Sequence, residues 1–426
     1  MKKLLLGISV VFLWSCTNSS QPSVVTFEVM EGVATLYVDG EEWETRAVSG
    51  FDFLDMAQEA GVNTLRTWGL LNLDNGRLLD EAHKRGMKVL VGFWLAHQNL
   101  GIDYTSPADS TKIKAQYNRI TAAVMEYKDH PAVLAWGVAN EINAKNAPPE
   151  VWNAVNDIAA FIKEHDRNHP TVTVLAGSKP EQIRDVMERA PAIDIVGINS
   201  YLDTKKVRDD IQRAGWKNPF MVTELGPDGF WESDTTSWGV PLEVNSSVAA
   251  QMYSERYRMV DADPLCIGVF PFKWGSVPKK TPTWLSIFLS DSCKTASYDA
   301  LYYIWNNNYP ANRAPVVNNL TINGKTAMDA PVLKTGESVL AGVEAADPDG
   351  DALSFQWEVL PEIILTPGIQ GTQKITVSPL EGLISSGNGR NISLSCPGTP
   401  GAYRLYVYVY DGNKSCGYAN LPFLVE

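Results

Sequence analysis

Val133-Leu-Ala-Trp-Gly-Val-Ala-Asn-Glu141 is an apolar run closed by a carboxylate, and the fold is read outward from it. Seven apolar or small residues in a row suit a strand buried on both faces, as in a parallel sheet. Runs of the same kind recur on both sides: Arg46–Gly50, Thr64–Trp68, Lys88–Leu95, Thr171–Gly177, Ile193–Tyr201, Pro219–Gly226 and Gly268–Gly275. With the first run they make eight. Amphipathic stretches lie between them, including Phe51–Gly61, Gly76–Gly86, Thr111–Asp129, Pro149–Asp166 and Glu181–Ala190. Two end in Gly61 and Gly86, the residue type that closes a helix in the left-handed region. Eight strand–helix units predict an α/β fold, a (β/α)8 TIM barrel with its site at the carboxyl ends of the strands.

Helical periodicity stops near Tyr309-Pro310. Beyond it, Leu353–Val359 and Tyr403–Tyr410 alternate with period two, which predicts a C-terminal immunoglobulin-like β-sandwich. The expected organisation is a signal peptide over 1–16, a tether over 17–26, the barrel with an N-terminal hairpin over 27–308, a linker over 309–316 and the sandwich over 317–426. The sandwich is expected to act as a spacer, so that deletion after Pro315 leaves activity nearly unchanged.

Met1-Lys2-Lys3 followed by the apolar Leu4–Leu13 reads as an export signal. Leu13-Trp14-Ser15-Cys16 looks like a lipobox, so Cys16 is the expected lipidation site. The predicted location is the outer membrane, on the cell surface more than the periplasmic face, with the lipid as the sole membrane contact. Thr17–Ser23 lacks the acidic residues usual in surface-exposed lipoproteins. Cys396 and Cys416 are close enough in sequence to pair in an oxidising compartment. No cysteine has metal-site spacing, and no metal or cofactor is expected. His165 and His169 sit four apart, but Pro170 ends the helix, so a turn is expected there. Asp347-Pro-Asp-Gly-Asp351 reads as turn chemistry, with calcium as the alternative. The net charge of −13 disfavours a nucleic-acid partner, and a monomer is expected.

Glu141 and Glu224 close the fourth and seventh strands. Period two puts Ala135, Gly137, Ala139 and Glu141 on one face, and Phe220, Val222 and Glu224 on one face. Two carboxyls at one barrel mouth suit glycosidic cleavage: one protonates the departing oxygen and one attacks the anomeric carbon. Companions at other strand ends are Arg66 and Trp68, Asn140, Asn199 and Tyr201, and Trp274 as a floor under the reacting sugar. Arg66 is placed to hold the nucleophile ionised, and Tyr201 to bond Glu224. Trp94, Trp231 and Trp238 serve either as sugar platforms or as core. His97 is a sugar contact or a plain loop residue.

Asn140-Glu141 on strand four, Glu224 on strand seven and Trp274 on strand eight resemble clan A of the glycoside hydrolases. The resemblance implies a retaining mechanism, with Glu141 as acid/base and Glu224 as nucleophile. Gly61-Val-Asn-Thr-Leu-Arg-Thr-Trp68 resembles the family 2 and family 5 barrels. The layout as a whole looks most like glycoside hydrolase family 158. That resemblance implies an endo-β-1,3-glucanase of bacterial polysaccharide degradation acting on laminarin-type β-glucan. Action on another β-glycan (β-mannan, β-1,4-glucan or a β-galactoside), transglycosylation, and an inactive glycan-binding lipoprotein stand as alternatives.

Overall fold

The computed structural model describes residues 21–145, 148–277, 280–363, 377–386 and 389–426. The signal peptide and Cys16 lie outside the described residues. The chain opens on a hairpin, β1 (Val25–Met30) and β2 (Val33–Val38), with a short β3 (Glu41–Glu42). The hairpin thus begins two residues earlier than expected. Val25, Leu36 and Val38 pack with Ala47, Leu90, Leu134, Val172, Ile195 and Met221 inside the barrel, so the hairpin plugs its amino-terminal end. Ser23 is buried beneath it, donating to the Val133 carbonyl at 2.6 Å and sitting 3.1 Å from His169 Nε2. The other nitrogen of His169 is 2.8 Å from Asp166 Oδ2. The His165–Pro170 stretch is therefore a turn that anchors the start of the chain.

Eight parallel strands follow: β4 (Ala47–Ser49), β5 (Thr64–Arg66), β6 (Lys88–Phe93), β7 (Val133–Asn140), β8 (Thr171–Ala176), β9 (Ile195–Ser200), β10 (Phe220–Leu225) and β11 (Cys266–Pro271). They hydrogen-bond in sequence order. A parallel bridge from Ser49 to Phe272 brings the last strand back to the first. The helices are α1 (Leu54–Glu59), α2 (Arg77–Lys84), α3 (Ser110–Tyr127), α4 (Pro149–His165), α5 (Pro180–Arg189), α6 (Val207–Ala214), α7 (Ser246–Asp261) and α8 (Ala296–Asn306). Each buries an apolar stripe against the outer faces of the strands, for example Val151, Val155, Ile158 and Ile162 of α4. The expected barrel is present.

The remaining strands form two four-stranded sheets. One holds β12 (Val316–Ile322), β14 (Ser338–Ala346), β17 (Asn391–Ser395) and β16 (Ile384–Ser386), in that order. The other holds β13 (Val332–Leu333), β19 (Cys416–Val425), β18 (Gly401–Tyr410) and β15 (Ser354–Pro361), in that order. This is the strand order of an immunoglobulin-like sandwich. Trp357 lies buried on β15, and the Tyr403 hydroxyl donates to the Thr399 carbonyl at 2.9 Å, a corner typical of that architecture. Asp347 Oδ1 accepts from the backbone of Asp349 and Asp351, so the acidic run is a turn.

The pairing that Cys396 and Cys416 could make is not formed, and both are free thiols. Cys396 packs between the two sheets, whereas Cys416 belongs to a separate cluster against Leu289 and Cys293 of the barrel. The sandwich is also not held off at arm's length. The Val317 amide bonds Ser247 at 2.8 Å, the Tyr418 amide bonds Ser246 at 3.0 Å, and Lys294 bridges Ser415. The linker is docked too, through the Ala314 amide on Asp299 at 2.6 Å and Asn312 on Asp411 at 2.7 Å.

Candidate active site

The two acidic strands reach the mouth by the same device. On β7 the register against β8 shifts between Gly137 and Asn140, and Ala139 and Glu141 both take positive φ, at 68° and 54°. On β10 the register against β9 shifts between Val222 and Glu224. One extra residue in a strand re-aims the side chains that follow, and such bulges favour active sites. A non-glycine residue held at positive φ costs of order 1–3 kcal/mol, which the surrounding structure must offset. Strict alternation is thereby broken. Ala139, Phe220 and Val222 pack with the outer, helix-side core, while Met221 packs along the barrel axis. Asn140 and Glu141 both turn inward, as do Thr223 and Glu224.

Glu224 sits in a closed cage, only 7% exposed. Its Oε1 accepts from Arg66 Nη1 and from Trp68 Nε1, each at 2.9 Å. Its Oε2 accepts from the Tyr201 hydroxyl at 2.8 Å. Arg66 is itself buried and donates to the Thr223 carbonyl at 2.7 Å and to Asn140 Oδ1 at 2.6 Å. Three charge-assisted bonds fix the carboxylate in one orientation and leave it no solvent shell to rearrange. Glu141 is more open. Asn199 Nδ2 donates to its Oε1 at 2.8 Å, while Asn199 Oδ1 accepts from Thr223 at 2.9 Å. Asn140 and Asn199 thus join the two carboxyls through one continuous network. Burial, and then the charges of Glu224 and Glu141, hold the Tyr201 hydroxyl well above the usual phenol range. It stays a proton donor to Glu224 throughout the working pH range.

Removing that donor tests the cage. Tyr201→Phe leaves one carboxylate oxygen short of a bond worth about 1.5–3 kcal/mol. The expected outcome is a fall in kcat/KM of about tenfold to a hundredfold with an unchanged fold by circular dichroism.

Arg66, Trp68, Asn140, Glu141, Asn199, Tyr201 and Glu224 therefore meet as expected. Trp94, 45% exposed, follows β6, and Trp231, 57% exposed, follows β10. These are the third and seventh of eight barrel strands, so the two indoles flank the mouth from opposite sides. Trp231 stands edge-on to Tyr201 with centroids 5.3 Å apart. One expected residue is elsewhere. Trp274 is fully buried and packs on Phe288, Tyr298 and Trp305, away from the mouth. Strand β11 ends at Pro271, so alternation no longer decides where Trp274 points. Its place is taken by Phe272, edge-on to Trp68 at 5.8 Å and to Tyr201 at 6.2 Å. Phe272 stands two residues before Trp274 in the run Gly268–Gly275, the alternation partner that reaches the mouth. His97 is buried at the head of the short turn Gln98–Leu100, just past β6. Thr223 and Ser49, which donates to the Thr223 carbonyl at 2.6 Å, also carry the site. A short polar side chain inside a strand gives no signal of that in sequence.

Residues 77–224 match the family described as glycosyl hydrolases family 2, TIM barrel domain. The matched segment opens at α2 and closes on Glu224, so it contains both carboxyls. Mannan endo-1,4-β-mannosidase F of Aspergillus fumigatus is 24% identical over 279 residues, covering 50% of this chain and 64% of its own. Mannan endo-1,4-β-mannosidase 7 of Arabidopsis thaliana is 26% identical over 209 residues, covering 34% and 48%. The chain thus spans less than two thirds of these relatives. Among solved structures, an uncultured Clostridium β-glucuronidase superposes with a TM-score of 0.52 at 14% identity, covering 67% of this chain and 54% of that one. The β-glucuronidase 2 of Bacteroides uniformis superposes at 0.51 and 13%, covering 94% and 48%. The chain carries a (β/α)8 barrel that is similar over residues 77–224 to the family 2 TIM-barrel domain of glycosyl hydrolases.

Proposed function

We propose that the protein is a retaining β-glycoside hydrolase of polysaccharides, with β-1,4-mannan ahead of laminarin as its substrate. The observation that carries the chemistry is the linked pair: Glu224 held by three donors in the Arg66–Trp68–Tyr201 cage, Glu141 half-open beside it. Glu224 attacks the anomeric carbon and forms a glycosyl-enzyme. Glu141 gives its proton to the departing oxygen, then takes one from the incoming water. Retention calls for carboxyls about 5–5.5 Å apart. Exposed Trp94 and Trp231 on opposite sides of the pair suit a sugar chain lying across the mouth, cut internally. The preference for mannan rests on the two relatives above, both named mannan endo-1,4-β-mannosidases. Neither they nor the family 2 match support the laminarin specificity that the family 158 resemblance implied.

Product analysis on mannan, glucomannan, laminarin and mixed-linkage glucan tests this. Short manno-oligosaccharides whose new reducing ends appear first as the β-anomer are expected. Cleavage of laminarin alone would return the β-1,3 reading. Binding without release of reducing ends would leave a glycan-binding protein.

Lipidation at Cys16 is part of the same proposal. Residues 17–22 span at most roughly 20 Å when extended. Ser23 is docked at the plugged end of the barrel, so a lipid on Cys16 would hold that end near the bilayer. The cleft would then open away from the membrane.

A further inference from the structure

The barrel mouth is walled on one side by two long connections, residues 226–245 after β10 and residues 272–277 and 280–295 after β11. They carry Trp231 and Phe272 to the carboxylate cage. They also hold each other: Trp284 Nε1 donates to the Asp228 carbonyl at 2.9 Å, and Phe230 packs edge-on to Trp284 and to Trp231. Glu232 Oε1 ties the first connection to the strand-six side of the mouth by accepting from the Leu202 amide at 2.9 Å. Within this connection Thr235 bridges Pro241, and the Leu242 amide bonds the Asp234 carbonyl at 2.8 Å, closing a small hairpin.

The base of that hairpin is gripped from the sandwich. Arg404 of β18, 1% exposed, donates through Nη2 to the Pro241 carbonyl at 2.8 Å. Its Nη1 donates to Asn420 Oδ1 at 2.6 Å, and its Nε to Glu362 Oε2 at 2.9 Å. Asn420 Nδ2 passes the link on to Glu243 Oε2 at 2.8 Å, and Glu243 Oε1 accepts from Thr283 of the second connection at 2.7 Å. Lys280, also in the second connection, pairs with Glu362 at 3.0 Å and donates to the Ile363 carbonyl. Two cations and two carboxylates are thus shared between the domains out of water. Losing any one partner would leave the others buried and uncompensated, so the contacts hold one another in place. Burial pushes the Glu243 carboxyl up to about 7 even against Arg404 and its hydrogen-bond donors, as enclosure between two domains demands.

We propose that the sandwich is a built-in part of the substrate cleft. In it Arg404 is a positioning residue: it fixes the connections that carry Trp231 and Phe272, and so sets the grip on the sugar chain beside Glu224. The ligand side of this rests on the glycosidase reading above; the ordering of the two connections does not.

Hydrogen exchange on the full chain reads the ordering without any substrate. Arg404→Met is expected to speed exchange of amides in 228–242 and 281–286 by about tenfold or more, while Val133–Asn140 stays protected. Asn420→Ser cuts the Arg404–Asn420–Glu243 chain with every charge kept, and carries the same expectation at smaller size should the methionine variant not fold. With an active wild type, KM for the polysaccharide should rise by about tenfold while kcat on an aryl β-glycoside changes by less than about threefold. Arg404→Lys should recover part of the loss. Unchanged exchange in the two connections, uniform acceleration across the chain, or a kcat on the aryl substrate that falls in step with KM would each overturn the proposal. A wild type that cleaves nothing would sink the glycosidase reading and leave the exchange result to stand by itself.

Discussion

Glu224→Gln is expected to lower glycoside cleavage by about four orders of magnitude or more, because in the proposed mechanism the caged Glu224 carboxylate forms the glycosyl-enzyme. Glutamine keeps the shape of the cage but removes the charge that Arg66, Trp68 and Tyr201 converge on. The loss should fall on every substrate alike, including aryl glycosides with good leaving groups. Glu141→Gln should behave differently. Loss of a general acid costs roughly 10²–10⁴-fold on polysaccharide. A dinitrophenyl glycoside needs no proton to depart, so its first step should survive and a burst of phenolate should precede slow turnover. Azide should separate the pair further, giving an α-glycosyl azide with Glu224→Ala and a β-glycosyl azide with Glu141→Ala. A Glu224→Ala protein that keeps a tenth of the wild-type rate would remove Glu224 from the role of nucleophile.

Arg66→Met is expected to be the most damaging change for the fold among the cage residues. Its guanidinium is 2% exposed and holds a carboxylate that is 9% exposed. Breaking one side of a buried pair costs about 3–5 kcal/mol, since the surviving charge stays enclosed without its partner. For a domain of this size that lowers Tm by roughly 10 °C. The Thr223 carbonyl and Asn140 Oδ1 lose their donor in the same stroke. Arg66→Lys should recover much of the stability and little of the activity. A single ammonium supplies the charge but not the fork that reaches Glu224 and Asn140 at once. Calorimetry beside kcat/KM on an aryl glycoside tests both parts. A methionine variant with wild-type Tm and rate would mean that the pair contributes nothing.

The barrel was legible because its signals are local. Seven of the eight apolar runs contain their strand, even the weak Arg46–Gly50 around Ala47–Ser49, while Gly268–Gly275 starts two residues inside β11 and overruns its end. The Val133–Glu141 run spans β7 and the carboxylate beyond it. Arg66, Asn199 and Tyr201 were placed by two-residue alternation from a strand's apolar members, and that alternation holds on β5 and β9. It failed on β7 and β10, where the bulges lie, and beyond β11, where Trp274 turned into the core. Nothing in Val-Thr-Glu or Ala-Asn-Glu announces an extra residue, because a bulge is a property of two paired strands. The sandwich was legible as a sandwich but not as a partner. The Arg404–Pro241 and Asn420–Glu243 contacts join residues 163 and 177 positions apart.

By itself, then, the order of residues determined the succession of strands and helices, the change of architecture near residue 309, and which acids end the fourth and seventh strands. These follow from hydrophobic spacing over a few residues, and water enforces that spacing wherever the segment lies. Packing alone decided that both carboxyls face one network, that Phe272 rather than Trp274 meets it, and that the sandwich grips the cleft wall. Those outcomes depend on pairing register and on charge partners far away in the chain, and both come into being only when the barrel closes.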